Sequence, residues 1–378
     1  PIVIVNDTTI ALGWLAKAWR SKLKAKVISL TGSAGKTTTK DMLAALLSEK
    51  FKVSKTLANN NNHIGVPLTI FNTAKSHQVL VLEHGTNHFN EIAYTADIAQ
   101  PDYALITNIG NSHLEFLKDR KGVLKEKISL FEITAKRKGT LFINKEDELL
   151  KDLYKNYKRK VTFGTSKKAG VKGKILKYTD DGKPIVELKY KRKKIKTELN
   201  LYGEQNFNNL LAASSVAFKT GLSKKEILKG IKKLSPPDKR LNVIKFSDFI
   251  LIDDTYNANP ESMKSSIELL SRIKIFKKKI VVLGDMFELG NTAVKHHKNL
   301  FPVIKKNKIT EVYTIGNLVK NLNKELQKSG ILNKHFPERE SLASFISGYD
   351  FTGSVILVKG SRGMKMEEFV RIIKEKKV

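Results

Sequence analysis

The chain reads as an α/β protein: a phosphate-loop ATPase domain on a mostly parallel sheet with a small antiparallel addition, then a Rossmann-like α/β domain. Three observations predict this. Short apolar strands alternate with helical stretches along most of the length, the pattern of a parallel sheet covered on both faces. A glycine-rich run, Thr31-Gly32-Ser33-Ala34-Gly35-Lys36-Thr37-Thr38-Thr39-Lys40, stands between a strand and a helix-forming segment. The break Ser235-Pro236-Pro237 divides a 378-residue chain, long for one domain, into two alternating regions.

Taken in order, residues 1–24 read as a connector whose residues 10–19 form an amphipathic helix. The first domain, 25–237, opens with the buried strand 27–30; residues 41–47 after the glycine-rich run have helical spacing and good helix formers. Further strands are predicted at 79–82, 103–109, 140–143 and 161–163. Between 171 and 200 the texture changes: alternating segments around the turn Thr179-Asp180-Asp181-Gly182 read as antiparallel hairpins. Helices follow at 206–220 and 224–233. The second domain, 238–378, has predicted strands at 249–253, 280–283, 312–315 and 355–358, separated by helical stretches.

Composition is that of a soluble globular protein, 41% hydrophobic and 28% charged. No apolar run reaches the ~20 residues of a membrane span and no secretion signal is legible, so a cytoplasmic location is expected. The absence of cysteine excludes disulfides, thiolate metal sites and a cysteine nucleophile. A net charge of +32 raises a nucleic-acid reading. Against it, lysines are spread through the chain, as at 155–160, 189–196 and 277–279, with few interleaved aromatics for base stacking. A lysine-rich surface that attracts anionic nucleotides and sugar phosphates fits better.

Chemistry concentrates first in the glycine-rich loop. Gly32 and Gly35 let backbone N–H groups, with those of Ser33, Ala34 and Thr38, face phosphate oxygens, and the following helix adds its positive N-terminal end. Lys36 is expected on the β/γ-phosphates and the Thr37 hydroxyl on Mg²⁺. Position 30 is Leu where the general motif has glycine, so the match is to a shorter form. Glu83, His113, Asp254 and Asp285 lie just past predicted strand ends, where open α/β sheets place ligands. A carboxylate such as Glu83 suits Mg²⁺ shared with phosphates; the same residue would also serve as a solvated strand-end carboxylate.

These residues resemble the Mur ligases, the ATP-dependent amide-forming enzymes of cell-wall precursor synthesis. The matching segments are the phosphate loop, Asn61-Asn62-His63-Ile64-Gly65-Val66-Pro67, Glu83-His84-Gly85-Thr86-Asn87-His88 and Asn108-Ile109-Gly110-Asn111-Ser112-His113-Leu114-Glu115. They continue with Asn206-Phe207-Asn208-Asn209-Leu210-Leu211-Ala212-Ala213, Asp253-Asp254-Thr255-Tyr256-Asn257-Ala258-Asn259-Pro260, Gly284-Asp285-Met286-Phe287-Glu288-Leu289-Gly290 and Lys359-Gly360-Ser361-Arg362.

The resemblance implies ATP, two Mg²⁺ ions and a two-step reaction. A peptide carboxylate attacks the γ-phosphorus to give an acyl phosphate and ADP, and an amine, D-alanyl-D-alanine or a similar one, then displaces phosphate. Thr37 and Glu83 would ligate one Mg²⁺, and His113 would help to hold the second. Lys127, fourteen residues after His113, aligns with a lysine that is carbamylated in the family. By its sequence neighbourhood alone, among Lys118, Lys121 and Lys125, it reads as a solvated helix lysine. Asn206 and Asn209 would bond the adenine, with helix capping an alternative for Asn206. Arg240 and Asp254 would complete the nucleotide site when the domains close. Tyr256, Asn257, Asn259, Lys359, Ser361 and Arg362 are implied for the acceptor amine, with Lys359 or Arg362 pairing its carboxylate.

One departure stands out: about 25 residues precede the first core strand, whereas the family carries an N-terminal domain for the uridine nucleotide of its donor. The expected partners are therefore small-molecule and nucleotide-linked peptide substrates and a separate uridine-nucleotide-binding domain or protein. A Mur-like ligase for a non-peptidoglycan precursor, and a nucleotide-dependent binding protein, stay open as alternatives.

Overall fold

A computed structural model describes residues 2–236 and 238–376, so Pro237 of the predicted break, Pro1 of the connector and the last two residues of the second domain lie outside the described residues. The chain forms two compact units. The first comprises the chain as far as Leu176, Val186–Leu199 and Asn206–Leu234; the second comprises Lys177–Ile185, Asn200–Gln205 and the chain from Ser235 on.

The first unit is built on strands β1 (Lys26–Thr31), β2 (Val53–Lys55), β3 (Val79–Glu83), β4 (Tyr103–Ile106), β5 (Thr140–Asn144), β6 (Lys160–Gly164), β7 (Val171–Tyr178), β8 (Pro184–Tyr190) and β9 (Lys193–Glu198). Their order in the sheet is β2-β3-β1-β4-β5-β6-β7-β8-β9. From β2 through β7 the pairing is parallel. β7, β8 and β9 are neighbours joined by loops too short for a parallel crossover, so they run antiparallel, as the hairpin texture predicts. The helices are α1 (Thr8–Lys22), α2 (Lys36–Leu47), α3 (Gly65–Phe71), α4 (Glu91–Ala99), α5 (Leu114–Leu117), α6 (Arg120–Lys136), α7 (Glu204–Lys219) and α8 (Lys224–Lys232). α1 is longer than the predicted 10–19: Asp7 caps it by accepting from the N–H groups of Thr9 and Ile10, and its Ala16 joins the core of Val27, Val66, Leu80 and Ile98.

β1 lies between β3 and β4, and the chain leaves it in opposite directions to reach them, the switch point where such sheets bind ligands. Register places Leu30 beside Glu83 and Thr31 beside Ile106. The carboxyl ends of three strands therefore converge around the glycine-rich loop. β1 and β3 are buried along nearly their whole length, which is why both read as unbroken apolar runs.

The second unit carries β10 (Asn242–Lys245), β11 (Phe249–Asp253), β12 (Lys278–Gly284), β13 (Glu311–Ile315), β14 (Leu332–Phe336) and β15 (Ser354–Lys359), in the order β10-β11-β15-β12-β13-β14. All pairings are parallel except that of β10 with β11. Helices α9 (Pro260–Arg272), α10 (Ala293–Lys298), α11 (Leu300–Lys306), α12 (Lys320–Leu326), α13 (Arg339–Gly348) and α14 (Glu367–Glu375) cover the sheet. Its core gathers Leu251, Ile280, Val282, Ile315, Ile356, Val358 and Phe369. Among the described residues no helix is long and apolar enough to cross a membrane.

Candidate active site

The glycine-rich loop joins β1 to α2, and its shape is fixed by contacts that only glycine permits. A β-carbon on Gly32 would overlap the Thr107 hydroxyl; Gly35 has φ +79° and lies against the Asn209 carboxamide. The Thr107 hydroxyl and the Asn108 amide donate to the Ala34 carbonyl at 2.7 and 3.0 Å, and the Ala34 N–H donates to Asn108 Oδ1 at 3.0 Å. Ser33 is buried, its hydroxyl bonded to Gly110 and Ser112. Lys36 folds back to donate to the Gly32 carbonyl at 2.9 Å, and Thr38 is buried one residue beyond Thr37. The loop is thus pre-shaped, with the Lys36 ammonium at its mouth.

Thr37 and Glu83 meet directly: the Thr37 hydroxyl donates to Glu83 Oε1 at 3.1 Å. Sequence reasoning passed over two further contributors, Asn61 and Lys40. Asn61 Nδ2 donates to the same oxygen at 2.9 Å, and buried Lys40 lies 3.7 Å from the other, Oε2, which accepts no hydrogen bond. Helical spacing could have flagged Lys40, because residues 36, 40, 43 and 47 share one face of α2 and Leu43 and Leu47 are core. A hydroxyl and a buried carboxylate with an unused oxygen are the hard donors that Mg²⁺ takes alongside phosphates. Among the described residues no three His, Asp or Glu side chains converge into a metal cage.

His113 begins α5 with φ +53°, at the end of the loop that follows β4. That loop is braced by Asp147, which accepts from the Ile109 N–H at 2.6 Å, and by Arg120, which donates to the Ile109 carbonyl at 2.9 Å. His84 is enclosed, with its ring nitrogens 2.8 Å from Ser29 Oγ and 2.9 Å from Thr95 Oγ1, and burial lowers its pKa to about 3. His63 is exposed.

Lys127 corrects the neighbourhood reading. It is not a solvated helix lysine: its side chain is fully buried on α6, and its Nζ has no hydrogen-bond partner. Burial, and next the charge of Lys36, push its pKa well below the ordinary lysine value, with Glu126 opposing. Glu126 is itself committed to the N–H groups of Asn90 and Ile92, each at 2.7 Å. Burial thus favours the uncharged, nucleophilic form of an amine that lies within electrostatic reach of Lys36 in the phosphate loop. The clue in the sequence was periodicity, since Val123, Lys127, Leu130, Phe131 and Thr134 lie on the one buried face of the helix.

On α7, Asn206 and Asn209 are buried within 3.4 Å of each other, and Asn209 packs on Gly35. One of the two carboxamides, that of Asn209, is thus set against the phosphate loop itself.

In the second unit the implied residues cluster at the carboxyl ends of β11 and β15. Lys359 Nζ, 1% exposed, donates to Asp254 Oδ2 at 2.6 Å and to the Asn257 carbonyl at 2.9 Å. Asp254 also accepts from Ser266 at 2.6 Å and from the Leu241 N–H at 3.1 Å. Lys359 and Asp254 thus brace one another and the loop between them, and the Lys359 ammonium is committed internally, which leaves Arg362 as the exposed cation of the pair. Arg362 touches Glu367 at 2.8 Å. Ser361 is buried and accepts from the Phe287 N–H at 2.8 Å; Asn259 caps α9 through Ser262. The Arg240 guanidinium stacks 3.8 Å over the Tyr256 ring. Its neighbours Lys239 and Leu241 have φ +55° and +47°, a costly backbone held by Asp254 and by the Tyr256 N–H on the Lys239 carbonyl.

The geometry agrees with what the chain is similar to. Residues 30–217 match the Mur ligase middle domain and residues 239–362 the Mur ligase, glutamate ligase domain. The UDP-N-acetylmuramoyl-tripeptide–D-alanyl-D-alanine ligase of Bacillus subtilis (strain 168) is 35% identical over 375 residues, 98% of this chain and 80% of that one. The crystal structure of MurF from Acinetobacter baumannii superposes with a TM-score of 0.91 at 30% identity, covering 99% of this chain and 83% of that one. MurF from Thermotoga maritima in complex with ADP gives 0.88 at 28% identity, covering 100% and 86%.

Proposed function

The chain belongs to the Mur ligase family, and from that premise we infer an ATP-dependent, ADP-forming ligase that adds D-alanyl-D-alanine to the peptide carboxylate of a UDP-N-acetylmuramoyl-tripeptide. The observation that carries the reading is the assembly at one switch point of Lys36, Thr37, Glu83 and the buried Lys127, whose pKa burial lowers.

In this reading the carboxylate attacks the γ-phosphorus of ATP, and ADP leaves. The dipeptide amine then attacks the acyl carbon, and phosphate departs as the amide forms. Lys36 and the loop N–H groups neutralise charge that builds on the transferring phosphoryl group. Thr37 and Glu83 would hold one Mg²⁺, which supplies electrostatic stabilisation of the phosphates; His113 and Lys127 are assigned to a second. For Lys127 to serve, its amine must carry an anion: the nitrogen lone pair bonds to CO₂ carbon, a proton leaves to water, and a carbamate results. Burial that lowers the pKa of this amine supports this.

We assign Asn206 and Asn209 to the adenine and Arg240 to the phosphates. Tyr256, Asn257, Asn259, Ser361 and Arg362 are assigned to the acceptor dipeptide, with Arg362 for its carboxylate; Asp254 and Lys359 hold that loop in shape. A reaction that spends ATP on a nucleotide-linked precursor belongs in the cytoplasm.

The test is ADP release from MgATP with bicarbonate present, supplying UDP-N-acetylmuramoyl-tripeptide and D-alanyl-D-alanine separately and together. Release that requires both supports the reading. Release indifferent to either, or none while ATP still binds, contradicts it.

A further inference from the structure

We propose that Lys40 is a positioning residue that faces one oxygen of the Glu83 carboxylate while hydrogen bonds hold the other, so fixing the carboxylate's aim at the cation bound with the nucleotide phosphates. The proposal rests on the Mg²⁺–nucleotide reading above. An ammonium buried as deeply as that of Lys40, 2% exposed, is costly unless the fold uses its charge. The contacts say how. Glu83 Oε1 accepts both available hydrogen bonds, from Thr37 at 3.1 Å and Asn61 at 2.9 Å. Oε2 accepts none and faces Lys40 Nζ at 3.7 Å. Thr37 and Lys40 are three residues apart on α2, so one helical turn delivers a hydroxyl to one oxygen and a cation to the other. Their separation is set by the helix rather than by side-chain choice.

Nor is Lys40 simply consumed by its neighbours. It lies 3.4 Å from the Ala58 carbonyl and 3.7 Å from Asp41 Oδ1, all loose contacts. Asp41 makes its tight pair with Lys55, at 2.6 Å. Charges alternate from the surface inward, Lys55, Asp41, Lys40, Glu83, and the series ends at the Thr37 hydroxyl beside the phosphate loop. A fixed cation beside the carboxylate restricts its rotation, as outer partners of metal ligands do.

The test is calorimetric binding of ADP to the full chain, in excess EDTA and at saturating Mg²⁺, for the parent, Lys40→Met, Lys40→Arg, Glu83→Gln and the double variant Lys40→Met/Glu83→Gln. The readout is the gain in ADP affinity that Mg²⁺ confers. Lys40→Met is expected to cut that gain roughly 10- to 100-fold while metal-free ADP affinity holds within about twofold, and Lys40→Arg to restore most of it. Because Lys40→Met strands a buried carboxylate and could fail to fold, the double variant carries the decision: it should match Glu83→Gln alone, with no further loss. Equal losses with and without Mg²⁺, or a double variant in which the two losses multiply, would overturn the role for Lys40. A parent with no Mg²⁺ gain at all would overturn the metal reading beneath it.

Discussion

The Asn209 carboxamide oxygen occupies the space that a β-carbon on Gly35 would need, so helix α7 and the phosphate loop are fitted to each other at one glycine. Gly35 also has φ +79°, which costs an L-residue roughly 1–2 kcal/mol before any overlap is counted. Gly35→Ala is therefore expected to weaken ADP binding at least about tenfold, the affinity equivalent of 1.4 kcal/mol. Calorimetry checks this.

Lys127 is buried without a hydrogen-bond partner, with its pKa well below the lysine norm. Incubation with ¹³C-bicarbonate is expected to give a carbamate carbon resonance in the parent, stable near neutral pH and lost on acidification. Lys127→Arg should abolish the resonance and lower ligase activity by several orders of magnitude, because a guanidinium stays protonated and adds no CO₂. A spectrum identical for the two proteins would exclude modification at Lys127.

The Lys359–Asp254 pair is buried at both ends. Lys359→Met should lower unfolding free energy by about 3–5 kcal/mol, since it removes one partner of a buried pair and leaves the other uncompensated. Adding Asp254→Asn should recover much of that stability, as read by denaturant titration, without restoring the loop that carries Tyr256 and Asn257. If the single and double variants unfold alike, the pair contributes no mutual stabilisation.

His84 titrates near pH 3 in the folded chain, against about 6.5 when unfolded. Between those values the unfolded chain binds a proton that the folded chain refuses, so stability falls as pH falls through this window, by up to roughly 1.4 kcal/mol per unit. His84→Gln, which keeps partners for Ser29 and Thr95, should flatten the decline between pH 6 and pH 4 in metal-free protein. Parallel curves for the two would remove His84 as its source.

What the sequence disclosed follows from burial on two faces. β1, β3, β11, β12, β13 and β15 sit inside their sheets and read as continuous apolar runs, so both sheets were legible. β2, of three residues, and β14, whose Leu-Asn-Lys-His-Phe alternates at a sheet edge, lack that signal and were missed. β10, the other edge, was missed for the same reason. The phosphate loop was legible because glycine, lysine and threonine must occur in sequence to cradle phosphate. Glu83 was found by its place after a strand. Lys40, Asn61 and the burial of Lys127 were not, because each gains its meaning from a tertiary neighbour; for the two lysines, helical periodicity held the hint. Asn61 lies in a loop, where no period exists to read.

The central claim, amide formation through an acyl phosphate, is tested most directly by labelling the donor carboxylate with ¹⁸O and analysing the inorganic phosphate by mass spectrometry. The account predicts one ¹⁸O in each phosphate released and one retained in the new amide carbonyl, because the oxygen that attacks the γ-phosphorus departs with it. Phosphate that carries no label while the amide forms would contradict the account.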